Sequence, residues 1–361
     1  MDIRAENCED SPAAAFGHIQ STFFVALSCD IEVRYIITAF LQQYINSNGG
    51  SVRTRILVIA IVMAYFSTGC GSSDSTTDVE IDESPIEQTA GDTNPLEGIG
   101  SVQLIGSGFG FLEGPVYSSS DNSLLFSDIP ADTIFQLLAD GSIEPFLENQ
   151  PTNGLAFDPQ NRLLITTQSG RSLSRLEESG AVTVLADNFE GALFNAPNDL
   201  AVHTNGDVYF TDPPFGLDPA LSEVGCSGIY RLTPDGDLTQ FFCNTIETLP
   251  NGIALSPNQD LLYVTFFSTG EILTWAIAPD GSVGEMDTFA TAALSTDGMA
   301  IDADGNLFVT SAAGVEVFAP DGTLWGVIEI PEQATNCTFG GPGNNTLFVT
   351  GATGLYSVEL Q

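Results

Sequence analysis

The chain has 361 residues, of which 47 are Asp or Glu and 8 are Arg, with no Lys and a formal net charge of −39. That field argues against nucleic acid and anionic membrane surfaces as partners and favours cations, although its simplest role is a solvated surface that keeps an exported protein soluble. With 43% hydrophobic and 9% aromatic residues the chain is not a disordered acidic polymer.

Residues 52–70 read VRTRILVIAIVMAYFSTGC. Arg53 and Arg55 precede an apolar run over 56–66, which ends in small residues and Cys70. The run is short for a bilayer span and has the three regions of a signal peptide. It resembles a bacterial lipoprotein signal with Cys70 as the lipidated residue, departing from the pattern at Ser67, where Leu or a similar residue is usual. A rival signal ending at ALSC, 26–29, has no basic cluster close before it and is followed by a second hydrophobic run. Residues 1–51 are then a non-native or disordered extension, with the true start at Val52; peptides from 1–51 in a mass spectrum of the mature protein would refute this. Gly71 after Cys70 points to an exported lipoprotein, periplasm-facing or on the outer membrane, with that anchor its membrane contact. Residues 71–98 are rich in Ser, Thr, Asp and Glu and read as a flexible acidic linker.

From residue 99 one unit recurs six times. It is a polar residue, a small residue, an apolar strand, a turn, and a second apolar strand closing on Ser or Thr. The copies are EGPVYSSSDNSLLFS from Glu113, NGLAFDPQNRLLIT from Asn153, NDLAVHTNGDVYFT from Asn198, NGIALSPNQDLLYVT from Asn251, DGMAIDADGNLFVT from Asp297 and NCTFGGPGNNTLFVT from Asn336. The first residue and the closing hydroxyl are 13 or 14 apart, and the units start 40, 45, 53, 46 and 39 residues apart. Periods of this size mark a propeller or another array. A second series of turns interleaves with the first, at Ala139 (ADGS), Glu178 (ESGA), Thr233 (TPDGD), Ala278 (APDGS) and Ala319 (APDGT). Asp-Gly and Ser-Gly between alternating runs are hairpin signals, so each unit supplies about four strands, as a propeller blade does. The sixth copy lacks the second turn, and residues 101–105 (SVQLI) supply its missing outer strand. The expectation is an all-β, six-bladed propeller over 99–361, closed by its N-terminal strand.

In that fold the first residue of each unit stands at the mouth of the central channel. Glu113, Asn153, Asn198, Asn251, Asp297 and Asn336 would form a ring of oxygen-bearing side chains. Single Asn or Asp residues there could be turn caps, but Glu113 is poor turn chemistry. Two carboxylates among amides suit a hard divalent cation, Ca²⁺ before Mg²⁺, Mn²⁺ or Zn²⁺, since no His or thiolate stands among the six. Cys226 and Cys243 flank the hairpin at Pro234-Asp235-Gly236 and either pair there or remain thiols; if they pair, Cys337 is a buried free thiol. No Cys/His zinc spacing occurs.

The motifs EGPVY, PNDLAVHTNGDVYFTDPPFGL, PNGIALSPNQDLLYVT, DGMAIDADGNLFVT and TFGGPGNNTLFVTGATGLYSV occur in this order over 100–361. Together they resemble the gluconolactonase and senescence-marker-protein (regucalcin) family of six-bladed propeller lactonases, with TDPPFGL leaning toward its bacterial gluconolactonase branch. The resemblance implies metal-dependent hydrolysis of a small lactone. It implies Glu113, Asn251 and Asp297 as metal ligands, Asn198 as a further ligand or a metal-side substrate contact, and Asn153 as a substrate-binding residue. The ion would polarise the lactone carbonyl, and Asp297 would steer or deprotonate the attacking water, with a water acidified by the ion as the other source of nucleophile. Where regucalcin-type members carry an Arg two residues before the counterpart of Asn198, this chain has Ala196, which favours a less polar lactone.

Two other readings stay open. One is a phosphotriester or aryl-ester hydrolase, as in the related diisopropylfluorophosphatase and paraoxonase propellers. The other is a non-catalytic binding propeller stabilised by its metal. Further signals have plainer explanations. GSGFG from Gly106 joins two strands with no helix after it, DADGN from Asp302 reads as a hairpin turn, and His203 stands at a strand–turn junction without a GxSxG elbow. Asp212 lines the pocket or helps its loop turn, and Phe215, Phe266 and Phe267 wall the site or pack in the core.

Overall fold

The computed structural model describes residues 94–361; the signal, the segment before it and the linker as far as residue 93 lie outside the described residues. The chain enters through β1 (Gln103–Ser107) and then builds blade one from β2 (Leu112–Ser118), β3 (Ser123–Asp128), β4 (Thr133–Leu137) and β5 (Ile143–Glu148). Blade two is β6 (Leu155–Phe157), β7 (Leu163–Thr167), β8 (Ser172–Leu176) and β9 (Val182–Ala186). A small hairpin, β10 (Asn188–Phe189) and β11 (Ala192–Leu193), precedes blade three: β12 (Leu200–Val202), β13 (Val208–Asp212), β14 (Ser227–Leu232) and β15 (Leu238–Asn244). Blade four is β16 (Pro250–Leu255), β17 (Leu261–Phe266), β18 (Glu271–Ile277) and β19 (Val283–Thr291), and blade five is β20 (Met299–Ile301), β21 (Leu307–Ser311), β22 (Gly314–Phe318) and β23 (Leu324–Ile328). Blade six is β24 (Ala334–Gly340), β25 (Thr346–Gly351) and β26 (Gly354–Glu359), with β1 as its outer strand.

Each blade is an antiparallel meander of four strands. The second strand of each is buried or nearly so along its whole length, while the fourth is largely exposed. The reason is position: the second strand is sandwiched between neighbouring blades, and the fourth faces solvent. The apolar residues gather into six core clusters, each drawn from two adjoining blades, so the hydrophobic core is itself a ring. The outer hairpins turn where Asp-Gly and Ser-Gly stand, with φ of 86° at Gly141 and 84° at Gly322, a region that a side chain disfavours.

Closure follows the expected route with a shifted boundary. The outer strand is Gln103–Ser107 rather than 101–105, because the Gln103 side chain donates to Ser101 Oγ at 2.7 Å and the ladder starts with Gln103 opposite Ser357. Gly100 N donates to Glu359 O at 2.7 Å, and Leu96 and Ile99 pack on the core between blades five and six.

The closing Ser or Thr of the first five repeats ties blade to blade, and Thr335, just before the sixth repeat, does so for the last. Ser127 Oγ donates to Asn153 O (2.6 Å), Thr166 Oγ1 to Asn198 O (2.5 Å), Thr211 Oγ1 to Asn251 O (2.7 Å) and Thr265 Oγ1 to Asp297 O (2.7 Å). Thr310 Oγ1 reaches Thr335 O at 2.9 Å, and Thr335 Oγ1 closes the circle on Leu112 O at 2.6 Å. Each acceptor is the backbone of the next blade's channel residue or its neighbour, so the 13- to 14-residue spacing fixes where those side chains stand. Thr265 also accepts from Gly252 N at 2.8 Å. Thr265→Val would leave Gly252 N and Asp297 O with only each other, at 3.2 Å, and should cost about 1 kcal/mol. The check is a lower urea midpoint at unchanged m-value.

Cys226, just before β14, and Cys243 in β15 form a disulfide, with Cα atoms 5.7 Å apart and a sequence separation of 17. Cys337 is a buried free thiol. A loop of that length contributes about 3 kcal/mol through the unfolded chain. Replacing both cysteines by Ser should lower the unfolding free energy by that amount, read from urea melts as the product of midpoint and m-value.

Candidate active site and metal centre

Five of the six expected ring residues meet in one chamber. Glu113, Asn153, Asn198, Asn251 and Asp297 line a cavity of about 340 Å³ at one end of the axis, and Phe111, Ile129, Phe215 and Phe267 form much of its apolar wall. Glu113 and Asn251 lie inside β2 and β16, where the ladder slips by a residue just after them; Asn153, Asn198 and Asp297 lie just before β6, β12 and β20. The glycine that follows four of the six is required by the close approach of the blades. A Cβ on Gly114 would strike Asn153 O, and one on Gly298 would strike the Asn336 side chain.

The sixth member does not join them as an oxygen donor to the chamber. Asn336 Oδ1 accepts from Cys337 N at 2.8 Å, which turns Nδ2 inward. Nδ2 then donates to Glu113 Oε2 at 3.3 Å and to Asp199 Oδ2 at 3.4 Å. Asp199 takes the place that Gly holds in four other repeats. Its carboxylate accepts from Leu200 N at 2.9 Å and Ile253 N at 3.4 Å and faces a second hollow of about 280 Å³ on the far side of the channel. The pair Asn198-Asp199 therefore serves two levels of the channel, one residue in the chamber and one in the floor beneath it. Sequence reasoning passed over Asp199; the signal was a charged residue where four of the other repeats have Gly.

The carboxylates are electrostatically uncomfortable. Glu113 is pushed up from 4.5 to about 8, first by burial and then by the charge of Asp199. Asp297 is raised well above its ordinary range, first by burial, then by Glu113 and Asp199, and is partly relieved by the Asn251 amide. Burial also lifts Asp199 to about 6 against the pull of its backbone donors. Glu113 and Asp297 line the same chamber. Asn153 Oδ1 is buried with no hydrogen-bond partner. Two facing carboxylates and an orphaned amide oxygen fit a divalent ion with hard oxygen ligands. Among the described residues no three His, Cys, Asp or Glu gather as a metal cluster, so amide oxygens would complete the set.

The remaining sequence candidates separate cleanly. Phe215 and Phe267 stand edge to face at 5.4 Å in the chamber wall, whereas Phe266 is buried against Phe242 in the core. Asp212 is fully buried and accepts from Asn195 N at 2.9 Å and Ala196 N at 2.8 Å, so it holds the loop that delivers Asn198. Asp128 does the same for Gly110 and Phe111 ahead of Glu113. His203 lies at the other end of β12 and accepts from Asn205 N at 3.2 Å within its turn. Asp302 caps its own hairpin by accepting from Asn306 N at 2.8 Å.

Fold and chamber define a six-bladed propeller with an oxygen-lined chamber on its axis. The chain belongs to the SMP-30/Gluconolactonase/LRE-like family, whose profile matches residues 111–353. A gluconolactonase of Zymomonas mobilis is 32% identical over 294 residues, covering 72% of this chain and 81% of its own. The pentonolactonase XacC of Haloferax volcanii is 25% identical over 257 residues, covering 67% of this chain and 81% of its own. Among solved structures, a gluconolactonase from Xanthomonas campestris superposes with a TM-score of 0.67 at 33% identity, covering 72% of this chain and 89% of the other.

Proposed function

We propose that this protein is a lactonase that hydrolyses small lactones in the axial chamber with the help of a divalent ion, Ca²⁺ by preference. The observation that carries the reading is the buried pair Glu113 and Asp297 beside the orphaned Asn153 oxygen. Two carboxylates held this way stay ionised only beside positive charge, which is how a cation site is built. The family and the names of its lactonase members support the reaction type.

Glu113, Asn198, Asn251 and Asp297 would hold the ion, which when bound supplies charge neutralisation and Lewis acidity for the lactone carbonyl. The chain's own groups do the rest. Asn153 orients the substrate by its amide, and Phe215 and Phe267 shield the carbonyl from bulk water. Asp297, at the chamber floor, steers the attacking water and accepts its proton. The water oxygen bonds to the acyl carbon, the acyl–ring oxygen bond breaks, and the proton passes to the departing ring oxygen to give the hydroxy acid. Asn336, donating to Glu113 and Asp199, keeps the floor carboxylates apart without adding charge.

The test is hydrolysis of a panel from gluconolactone to aliphatic lactones, after chelation and then with Ca²⁺, Mg²⁺, Mn²⁺ or Zn²⁺ restored. Turnover that returns with the ion supports the reading. Metal-raised melting without turnover on any lactone would point to the binding propeller instead.

A further inference from the structure

A larger hollow of about 520 Å³ adjoins the chamber, and Ile129, Gln168 and Phe215 wall both. A single lactone ring held at Glu113 and Asp297 leaves this second hollow empty of substrate. Its own lining mixes an apolar face with polar groups, namely Asp132, Ser169 and Arg171 beside Ala196 and Leu217.

Arg171 is the informative residue. Of the four arginines in the described chain, three are closed on a carboxylate: Arg162 on Asp158 (2.7 Å), Arg175 on Glu177 (2.8 Å) and Arg231 on Asp207 (2.6 Å). Arg171 has only Glu223 at 3.7 Å. It is held instead by two carbonyls, its Nε donating to Phe194 O at 2.5 Å and Nη2 to Leu193 O at 3.4 Å. That grip fixes the guanidinium in the wall of the hollow and leaves Nη1 facing the exposed Glu223 carboxylate at 3.7 Å, beyond hydrogen-bond distance. Across from it Gln168 donates Nε2 to Phe215 O at 2.6 Å, which leaves its Oε1 available and latches the Phe215 loop. The carboxylate of Asp132 and the hydroxyl of Ser169 are exposed.

A lining that holds both donors and acceptors, with Phe215 shared by the two hollows, suits a ligand that is itself both donor and acceptor. An anionic tail would meet Asp132 and Glu223. An aliphatic tail would cover the charges of Arg171 and Asp132 without replacing their hydration. A hydroxylated ring satisfies both kinds of group and offers an apolar face to Phe215. Ala196, expected from sequence to favour a less polar lactone, lines this hollow and not the chamber, and its small side chain leaves the room a sugar ring needs. We propose that the hollow is a second subsite that receives a glycosyl residue attached to the lactone. The preferred substrate class is then the lactone of a disaccharide-sized aldonic acid. This rests on the lactonase reading and adds to it.

The experiment compares kcat/KM for glucono-1,5-lactone and cellobiono-1,5-lactone on the full-length, Ca²⁺-loaded protein, above the spontaneous rate. The glycosylated lactone should be favoured about tenfold, mostly through KM, as one hydrogen bond to a charged donor allows. Arg171→Met should remove most of that preference. Ser169→Trp, at an exposed position, should fill the hollow and remove it by bulk, so a folding defect at Arg171 would not decide the matter. Equal kcat/KM on the two lactones, or variants that lower both alike, overturns the second subsite while leaving the lactonase reading intact. Turnover of neither lactone overturns that reading and the subsite with it.

Discussion

Asp297→Asn should lower turnover by about 10²- to 10⁴-fold, as loss of a group that handles the proton of the attacking water does, and yet raise the melting temperature of the chelated protein. The two effects share one cause. Asp297 is 4% exposed and faces Glu113, with Asp199 in the floor beneath. Without a cation this cluster is a burden on the fold, because burial and like charge both resist ionisation. The amide keeps the shape and needs neither a buried charge nor a bound proton. A gain of about 1–2 kcal/mol, or a few degrees for a domain of this size, is expected in chelator. Ca²⁺ should then raise the melting temperature of the parent and leave that of the variant nearly unchanged. Glu113→Gln should behave the same way. Full turnover in either variant would remove these residues from the chemistry. A lower melting temperature in chelator would show that the pair is not a source of strain.

The fold was legible because its signal repeats. Six apolar–turn–apolar units with a second turn series between them leave little choice but a ring of four-stranded sheets, and the missing outer strand of the last blade identifies its own replacement. The chamber was legible for a related reason. A propeller places the same repeat position at the same height on the axis, so Glu113, Asn153, Asn198, Asn251 and Asp297 could be read off as neighbours although 184 residues separate the first from the last. Periodicity fails where a repeat departs from its own rule. Asn336 occupies the ring position, but its amide is turned by the Cys337 N–H and serves as a donor to carboxylates. Asp199 occupies a glycine position and becomes part of the floor. The closing Ser and Thr residues were visible as landmarks, but their work, bonding the backbone of the next blade, involves partners 25 to 40 residues away that no local pattern announces. The hollow beside Arg171 was invisible to sequence because its lining comes from several separate loops.

Uptake of the ion should release at least one proton near pH 7 and strengthen at least about tenfold for each unit of rising pH below that. With no cation present Glu113 holds its proton up to about 8 and Asp297 is raised as well. A ligand carboxylate must be ionised, so the ion competes with the proton, and one displaced proton gives that slope. The same competition sets how stability moves with pH. Unfolded, these carboxyls lose their protons near 4.5 and 3.8, whereas the folded chelated protein keeps them to higher pH. The folded state therefore binds more protons in the window from about 4 to 8, and the chelated protein loses stability as pH rises through it. In saturating Ca²⁺ the carboxylates are ionised in the folded state, the window closes, and stability should hold or rise toward pH 8. Two curves of melting temperature against pH, one in chelator and one in Ca²⁺, should thus diverge steadily from pH 5 to 8. Calorimetric titration with Ca²⁺ in buffers of different ionisation enthalpy reads the proton directly. Heats that do not depend on the buffer, with parallel melting curves, would mean that the chamber carboxylates are already ionised without the ion and that their proximity is not what makes this a cation site.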